Sequence, residues 1–193
     1  MMRRRLLLMS KKSELPNGYK RCEYLESTGT QWIDSGIFLY RNKQILIKFE
    51  ICQTANNNHV IGVEGNLNIY IQPSIKYWRL NGVPTPIEID VNVFHKIVLE
   101  NTQNGRKGII DDNYNVLGSV AHRDYYFPLF AYYDSGIFCS KIKLKYLIIQ
   151  ESDNIVRNFI PALDPTGRPC MYDTVTKQPF YNQGSGEFLY KIA

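Results

Sequence analysis

Little in this sequence could span a membrane, hold zinc or staple the chain with disulfides. The apolar cluster Leu6-Leu7-Leu8-Met9 follows three arginines and is closed at once by Ser10-Lys11-Lys12. It falls short of the roughly 7 to 15 residues of a signal-peptide core, and no run approaches the ~20 residues of a spanning helix. The four cysteines, Cys22, Cys52, Cys139 and Cys170, are scattered, with no CxxC pair and no histidine at ligand spacing. That pattern argues against a zinc site and against a disulfide framework, and predicts free, mostly buried thiols in a reducing compartment. No segment sustains a 3.6-residue apolar period over three turns, so helix should be scarce. Internal repeats and low-complexity linkers are also missing. A soluble chain made in a cytoplasm is expected.

What is present is apolar and aromatic material for a core. Of 193 residues 44% are hydrophobic and 13% aromatic, which is enough for one sizeable domain. The formal charge of +5 is concentrated at the start. Arg3, Arg4, Arg5, Lys11, Lys12, Lys20 and Arg21 face only Glu14, so the remainder is near neutral. That argues against a large nucleic-acid footprint on the fold itself. Residues 1–18 read as a flexible basic arm, an anchor or a solvated tail, and 19–193 as the folded domain.

Within the domain the dominant period is two. Ser140–Tyr190 opens with Ile142, Leu144, Tyr146 and Ile148 on one face and Lys141, Lys143 and Lys145 on the other. Ile45, Ile47, Phe49 and Ile51 repeat the pattern earlier, opposite Lys48 and Glu50. Short strands are expected at 21–26, 31–36, 60–63, 66–72, 77–80, 94–101, 107–112 and 115–117, with an aromatic strand at 127–133. Ile97-Val98-Leu99, apolar on both faces, predicts a centrally buried segment. Pro161, Asp164-Pro165 and Gly167 are expected to break the later apolar segments, and Gly184 and Gly186 to turn the chain with positive φ. Turn signals every 8 to 12 residues predict an all-β, two-sheet antiparallel sandwich.

Three stretches resemble a known family. The first is Leu15-Pro16-Asn17-Gly18-Tyr19 through Tyr24-Leu25-Glu26-Ser27-Thr28-Gly29-Thr30-Gln31-Trp32-Ile33-Asp34-Ser35-Gly36. The second is Phe94-His95-Lys96 with the hairpin into Ile109-Ile110-Asp111-Asp112. The third runs from Val156-Arg157-Asn158-Phe159-Ile160-Pro161 to Met171-Tyr172-Asp173 and Phe180-Tyr181-Asn182-Gln183-Gly184-Ser185-Gly186-Glu187-Phe188. Together they are similar to laminin-G-like, concanavalin-A-like jelly rolls of phages and prophages of gut bacteria. The resemblance implies a virion structural or adhesive protein and carries no agreed binding residues.

Catalytic constellations are not evident. Glu88-Ile89-Asp90, the nearest pair of acids to a hydrolase pattern, has no third acid and is preceded by Pro84 and Pro86, so it reads as a loop or edge segment. His59, His95 and His122 are too scattered for a triad, and Gly62-Val63-Glu64-Gly65 lacks the lysine of a phosphate loop. Calcium is the one cofactor left open, through Asp111 and Asp112, or Asp134-Ser135. Carbohydrate binding has more support, from Tyr77 and Trp78, from Tyr132, Tyr133 and Asp134 at one strand end, and from the amide-rich loop of Asn57 and His59. The competing reading makes these aromatics ordinary half-buried sheet residues. Arg157 beside apolar residues needs a partner, and Asp173 is the candidate.

The expected role is therefore adhesive and non-enzymatic, on a virion assembled in a bacterial cytoplasm. Expected partners are other virion proteins, a host surface glycan or protein, and further copies in a homo-oligomer. A decoration module binding only virion proteins is the alternative, and a glycan-cleaving enzyme a third.

Overall fold

The computed structural model describes residues 15–38, 43–52, 58–63, 68–72, 77–80, 83–88, 90–102, 105–111, 113–117, 126–133 and 137–193. Eighteen strands occur among them and no helix. In chain order they are β1 (Lys20–Glu26), β2 (Ile33–Phe38), β3 (Lys43–Ile51), β4 (Asn58–Val63), β5 (Asn68–Gln72), β6 (Tyr77–Leu80), β7 (Val83–Glu88), β8 (Phe94–Thr102) and β9 (Gly105–Ile110). There follow β10 (Asn113–Leu117), β11 (Tyr126–Leu129), β12 (Ala131–Tyr133), β13 (Ile137–Cys139), β14 (Ile142–Glu151), β15 (Asn154–Leu163), β16 (Pro169–Asp173), β17 (Gln178–Phe180) and β18 (Leu189–Ile192).

Ten strands form the large sheet, ordered β10-β9-β8-β3-β14-β1-β15-β16-β17 with β18 on β1. Six form a second sheet, β13-β12-β4-β5-β6-β7, and β2 pairs with β11 alone. One core lies between the large sheet and the two smaller ones. Ile45, Ile47 and Phe49 of β3 and Ile97 and Leu99 of β8 meet Ile61 and Val63 of β4, Ile69 of β5, and Phe127 and Leu129 of β11. This is the expected all-β sandwich, with antiparallel pairing throughout except that β12 runs parallel to β4.

The alternation in β3 holds along its length because no bulge interrupts it. In β14 the register shifts between Leu144 and Tyr146, and the inward phase changes there. Ile142 and Leu144 face the core, but the next core residues are Leu147 and Ile149. Tyr146 and Ile148, expected on the face of Ile142, instead join Leu46, Val98 and Ile109 in a separate cluster on the outer face. An extra residue in a strand reverses the facing of everything after it. That outer cluster is also why Ile97-Val98-Leu99 is apolar on both faces.

Two other expectations are corrected. The aromatic stretch 127–133 is two strands in different sheets, separated at Phe130, whose φ of 63° lies in the left-handed region. A bulky residue rarely occupies that region. Here Phe130 is fully buried, its ring 4.5 Å from that of Phe188, and its carbonyl accepts the Ser140 amide at 2.8 Å. Pro161, expected to end a strand, lies inside β15 opposite Met171. On its other side β15 pairs with β14 only to Phe159 and with β1 only from Ala162. The missing N–H of Pro161 therefore falls in the fork where β1 enters the β14–β15 hairpin.

Leu15, placed in the arm by sequence, packs with Tyr19 and Tyr181 over Ile160, Ala162, Cys170 and Tyr172. Residues 1–14, which carry the arginine cluster, lie outside the described residues. All four cysteines are free; Cys22 and Cys170 are buried, and Cys52 and Cys139 half-buried. Burial pushes the Cys22 and Cys52 thiols up to about 11 and Cys170 to about 12, so none of these three is a thiolate at neutral pH.

Candidate functional site

The residues that carry the sequence resemblance are mostly engaged with one another. The Thr30–Trp32 segment and the Asn182–Gly186 turn form a latch. Ser185 N donates to the Thr30 carbonyl at 3.1 Å and Gln183 N to the Trp32 carbonyl at 2.8 Å. Thr30 Oγ1 and Gln31 Nε2 both donate to the Ser185 carbonyl, at 2.9 and 3.1 Å. Asn182 Oδ1 accepts the amides of Trp32 and Gly184. Gly186 does adopt positive φ, at 71°. Gly184 does not, and its glycine is required for another reason: a Cβ there would collide with the Thr30 carbonyl.

Two aspartates close the large sheet. Asp173 has no exposed surface. Its carboxylate accepts Asn158 N (2.8 Å), Val175 N (3.1 Å), and both N (3.3 Å) and Oγ1 (2.7 Å) of Thr176. Arg157 Nε stands 3.5 Å from it, the pairing expected from sequence. Asp164 accepts Thr166 Oγ1 (2.7 Å), Thr166 N, Arg168 N and the Tyr181 hydroxyl (2.9 Å). These donors, the Thr166 hydroxyl foremost, hold the Asp164 carboxyl down at about 2. Burial, reinforced by donation to Asp164, raises the Tyr181 phenol to about 12. Both carboxylates serve the scaffold.

The acid proposed for calcium is likewise committed. Asp111 Oδ2 lies 2.6 Å from His95 Nδ1 and Oδ1 accepts Lys96 N at 2.8 Å, while His95 Nε2 lies 2.9 Å from the Asp90 carbonyl. Asp111 thus ties the start of β8 to the end of β9. Asp112 lies outside the described residues, as do Asp134 and Ser135. Among the described residues no group of three or more His, Cys, Asp or Glu could hold a metal.

The carbohydrate candidates fall on the six-stranded sheet, at two ends of it. His59 is in β4, not in a loop, and pairs with Tyr70; Asn58 pairs with Ile71, and Ile71 with Trp78. Tyr77 follows opposite Gln72 and Glu88. One cross-strand row therefore runs from Asn58 through Ile71 to Trp78, on the face that carries Ile69, and His59 and Tyr77, one residue along, fall on the opposite face of the same sheet end. The side chains of His59, Tyr77 and Trp78, and the whole of Asn57, lie outside the described residues. Tyr132 and Tyr133 sit at the other end of β4, opposite Gly62 and Val63. Tyr132 retains 6% of its surface and packs as core, so it offers no sugar platform; Tyr133 is half-buried. Glu88 is exposed at the end of the edge strand β7, which fits the edge reading of Glu88-Ile89-Asp90.

A second polar surface, not evident from the spacing of residues, lies on the large sheet. On the outer face of the large sheet, Phe94, Glu50, Lys143 and Glu26 lie opposite one another on four adjacent strands. Lys143 Nζ bonds Glu50 Oε1 at 2.5 Å and lies 5.4 Å from the Tyr24 ring centre; Lys145 Nζ is 4.1 Å from that of Phe94. The signal was the lysine face of the first alternating strand.

No protein-family model and no curated protein matches the chain. A crystal structure at 1.50 Å, of a "putative carbohydrate binding protein" from Bacteroides ovatus ATCC 8483, is similar with a TM-score of 0.63 and 11% identity. The match covers 90% of this chain and 60% of that one, so this chain spans about 60% of its neighbour's length. At that identity the likeness is one of fold, an all-β sandwich.

Proposed function

We propose that this protein is a non-enzymatic glycan-binding sandwich, carried on a phage or prophage virion and adhering to a host surface glycan. The observation that carries the binding reading is the row on the six-stranded sheet. There the register brings Asn58 and His59 of β4 level with Trp78 and Tyr77 of β6 across β5, at one end of the sheet. Aromatic residues gathered at one sheet end with amide and imidazole residues are the types a sugar site draws on, for an apolar platform and planar hydrogen-bonding partners. The shared fold with a protein described as carbohydrate binding supports the same reading. Its non-enzymatic character is supported by the described buried carboxylates, since Asp164, Asp173 and Glu50 all spend oxygens on internal donors. The virion context rests on the sequence resemblance.

A glycan array probed with the full chain tests this. Binding to a defined glycan, lost in Trp78→Ala with the melting temperature unchanged, supports it. A silent array together with tight capture of capsid or tail proteins would replace it with the assembly reading.

A further inference from the structure

The large sheet brings like charges together on its outer face. Lys48 and Lys96 are direct register partners on the adjacent central strands β3 and β8. Both alternate with core residues, Ile47 and Phe49 around one and Ile97 following the other, so both project from the outer face. Like charges directly opposite on a sheet are destabilising. Across β3 from Lys96, Lys48 faces Tyr146, and the bulge beside it inserts Lys145 on the same outer face. The position of Lys145 is fixed by its ammonium above the Phe94 ring. Among the described residues neither Lys48 nor Lys145 has a carboxylate partner. Lys143 extends the group and is answered by Glu50. Four lysines are thus gathered on one sheet face, although residues 22–193 are close to neutral as a whole.

We infer that this outer face is a second binding surface, whose ligand is an acidic polysaccharide bearing uronate carboxylates. The lane runs across β8, β3 and β14, neighbours about 4.8 Å apart, and ends against the rings of Phe94 and Tyr24, whose centres are 6.2 Å apart. Lys48 and Lys145 supply donors for carboxylates along it, with Lys96 adding positive charge at its β8 end. Glu26, half-buried at the β1 end, accepts from hydroxyl groups. That interleaving of ammonium, carboxylate and ring suits a polyol with spaced charges. A densely charged phosphate backbone would meet Glu26 as well as the lysines, so nucleic acid is disfavoured. The choice of a saccharide rests on the glycan-binding reading above, but the surface lies on the opposite sheet from Trp78.

The test is calorimetric titration of the full chain with polygalacturonate, dextran and duplex DNA at low and physiological salt. Wild type, Lys48→Glu, Lys145→Glu and Trp78→Ala are compared, with a thermal melt for each. Polygalacturonate should bind, weaken with salt, and lose at least about tenfold in affinity in each lysine variant while Trp78→Ala binds it normally. Lys48→Glu should melt no lower than wild type, because it faces Lys96 with the opposite charge. No polygalacturonate binding at low salt, undiminished binding by both lysine variants, or tighter binding of DNA than of polygalacturonate would each overturn the inference. Loss of neutral-glycan binding in Trp78→Ala concerns the other site alone, so the two readings fail separately.

Discussion

Arg157 Nε stands 3.5 Å from Asp173 Oδ2, at the point where β15 and β16 close the sandwich, and no solvent reaches the carboxylate. The guanidinium is held by its neighbours as well: Nη1 donates to the Val156 carbonyl at 2.8 Å and Nε approaches the Ser35 carbonyl at 3.4 Å. The two residues are unequal, because Asp173 has four further donors. Removing the carboxylate as Asp173→Ala strands three backbone amides and the Thr176 hydroxyl and takes the counter-charge from a half-buried guanidinium. It should cost about 3–5 kcal/mol. Arg157→Met leaves the carboxylate solvated by the remaining donors and should cost about 1–3 kcal/mol. Urea denaturation of both variants checks the order, and equal or reversed losses would contradict it.

Gly184→Ala tests the latch. The added methyl meets the Thr30 backbone, which cannot yield without breaking the Ser185–Thr30 and Gln183–Trp32 bonds. A loss of about 2–4 kcal/mol is expected, against the small gain that a less flexible unfolded chain would give. Gly167→Ala is the comparison. Its backbone is left-handed, at φ 88°, where that of Gly184 is not, but a Cβ there meets nothing within 4 Å, so it should cost only about 1 kcal/mol. Melting temperatures of the two variants read this difference directly.

The depressed Asp164 carboxyl predicts a pH dependence of known sign. Its folded value, about 2, lies below the ordinary carboxylate value near 3.8. The stability it contributes is therefore fully present above about pH 4 and is lost as pH falls through about 2. Thr166→Val removes the hydroxyl that leads the depression. The variant should lose less stability than wild type between about pH 4 and pH 2. Denaturation curves at pH 5 and pH 2.5 measure it, and a parallel pair of profiles would refute the assignment.

The sequence made the core strands legible where one residue advances the chain one pleat. Ile45, Ile47, Phe49 and Ile51 alternate without interruption, and their facing could be read from spacing alone. It failed at Lys145, because a bulge leaves no compositional mark and turns Tyr146 and Ile148 to the other face. It failed again at Phe130, since nothing about an aromatic residue announces a left-handed backbone; only the packing of Phe188 and the Ser140 bond hold it there. Pro161 misled for a different reason. A proline rule assumes a partner on both sides, and the fork between Phe159 and Ala162 removes one. Of the candidate surface, spacing identified the aromatics but not their burial, so Tyr132 was offered as a platform and lies in the core. The Lys48–Lys96 opposition is a register fact, and register between strands 48 residues apart is not readable from either strand.

The central claim is that a glycan binds at the end of the six-stranded sheet that carries Asn58, His59, Tyr77 and Trp78. Its most direct measurement is the affinity of the full chain for its best array glycan, compared between wild type and Trp78→Ala at equal melting temperature. Loss of one stacking aromatic is expected to weaken binding at least about tenfold, the scale of a binding hot spot. An unchanged affinity in Trp78→Ala would contradict the claim.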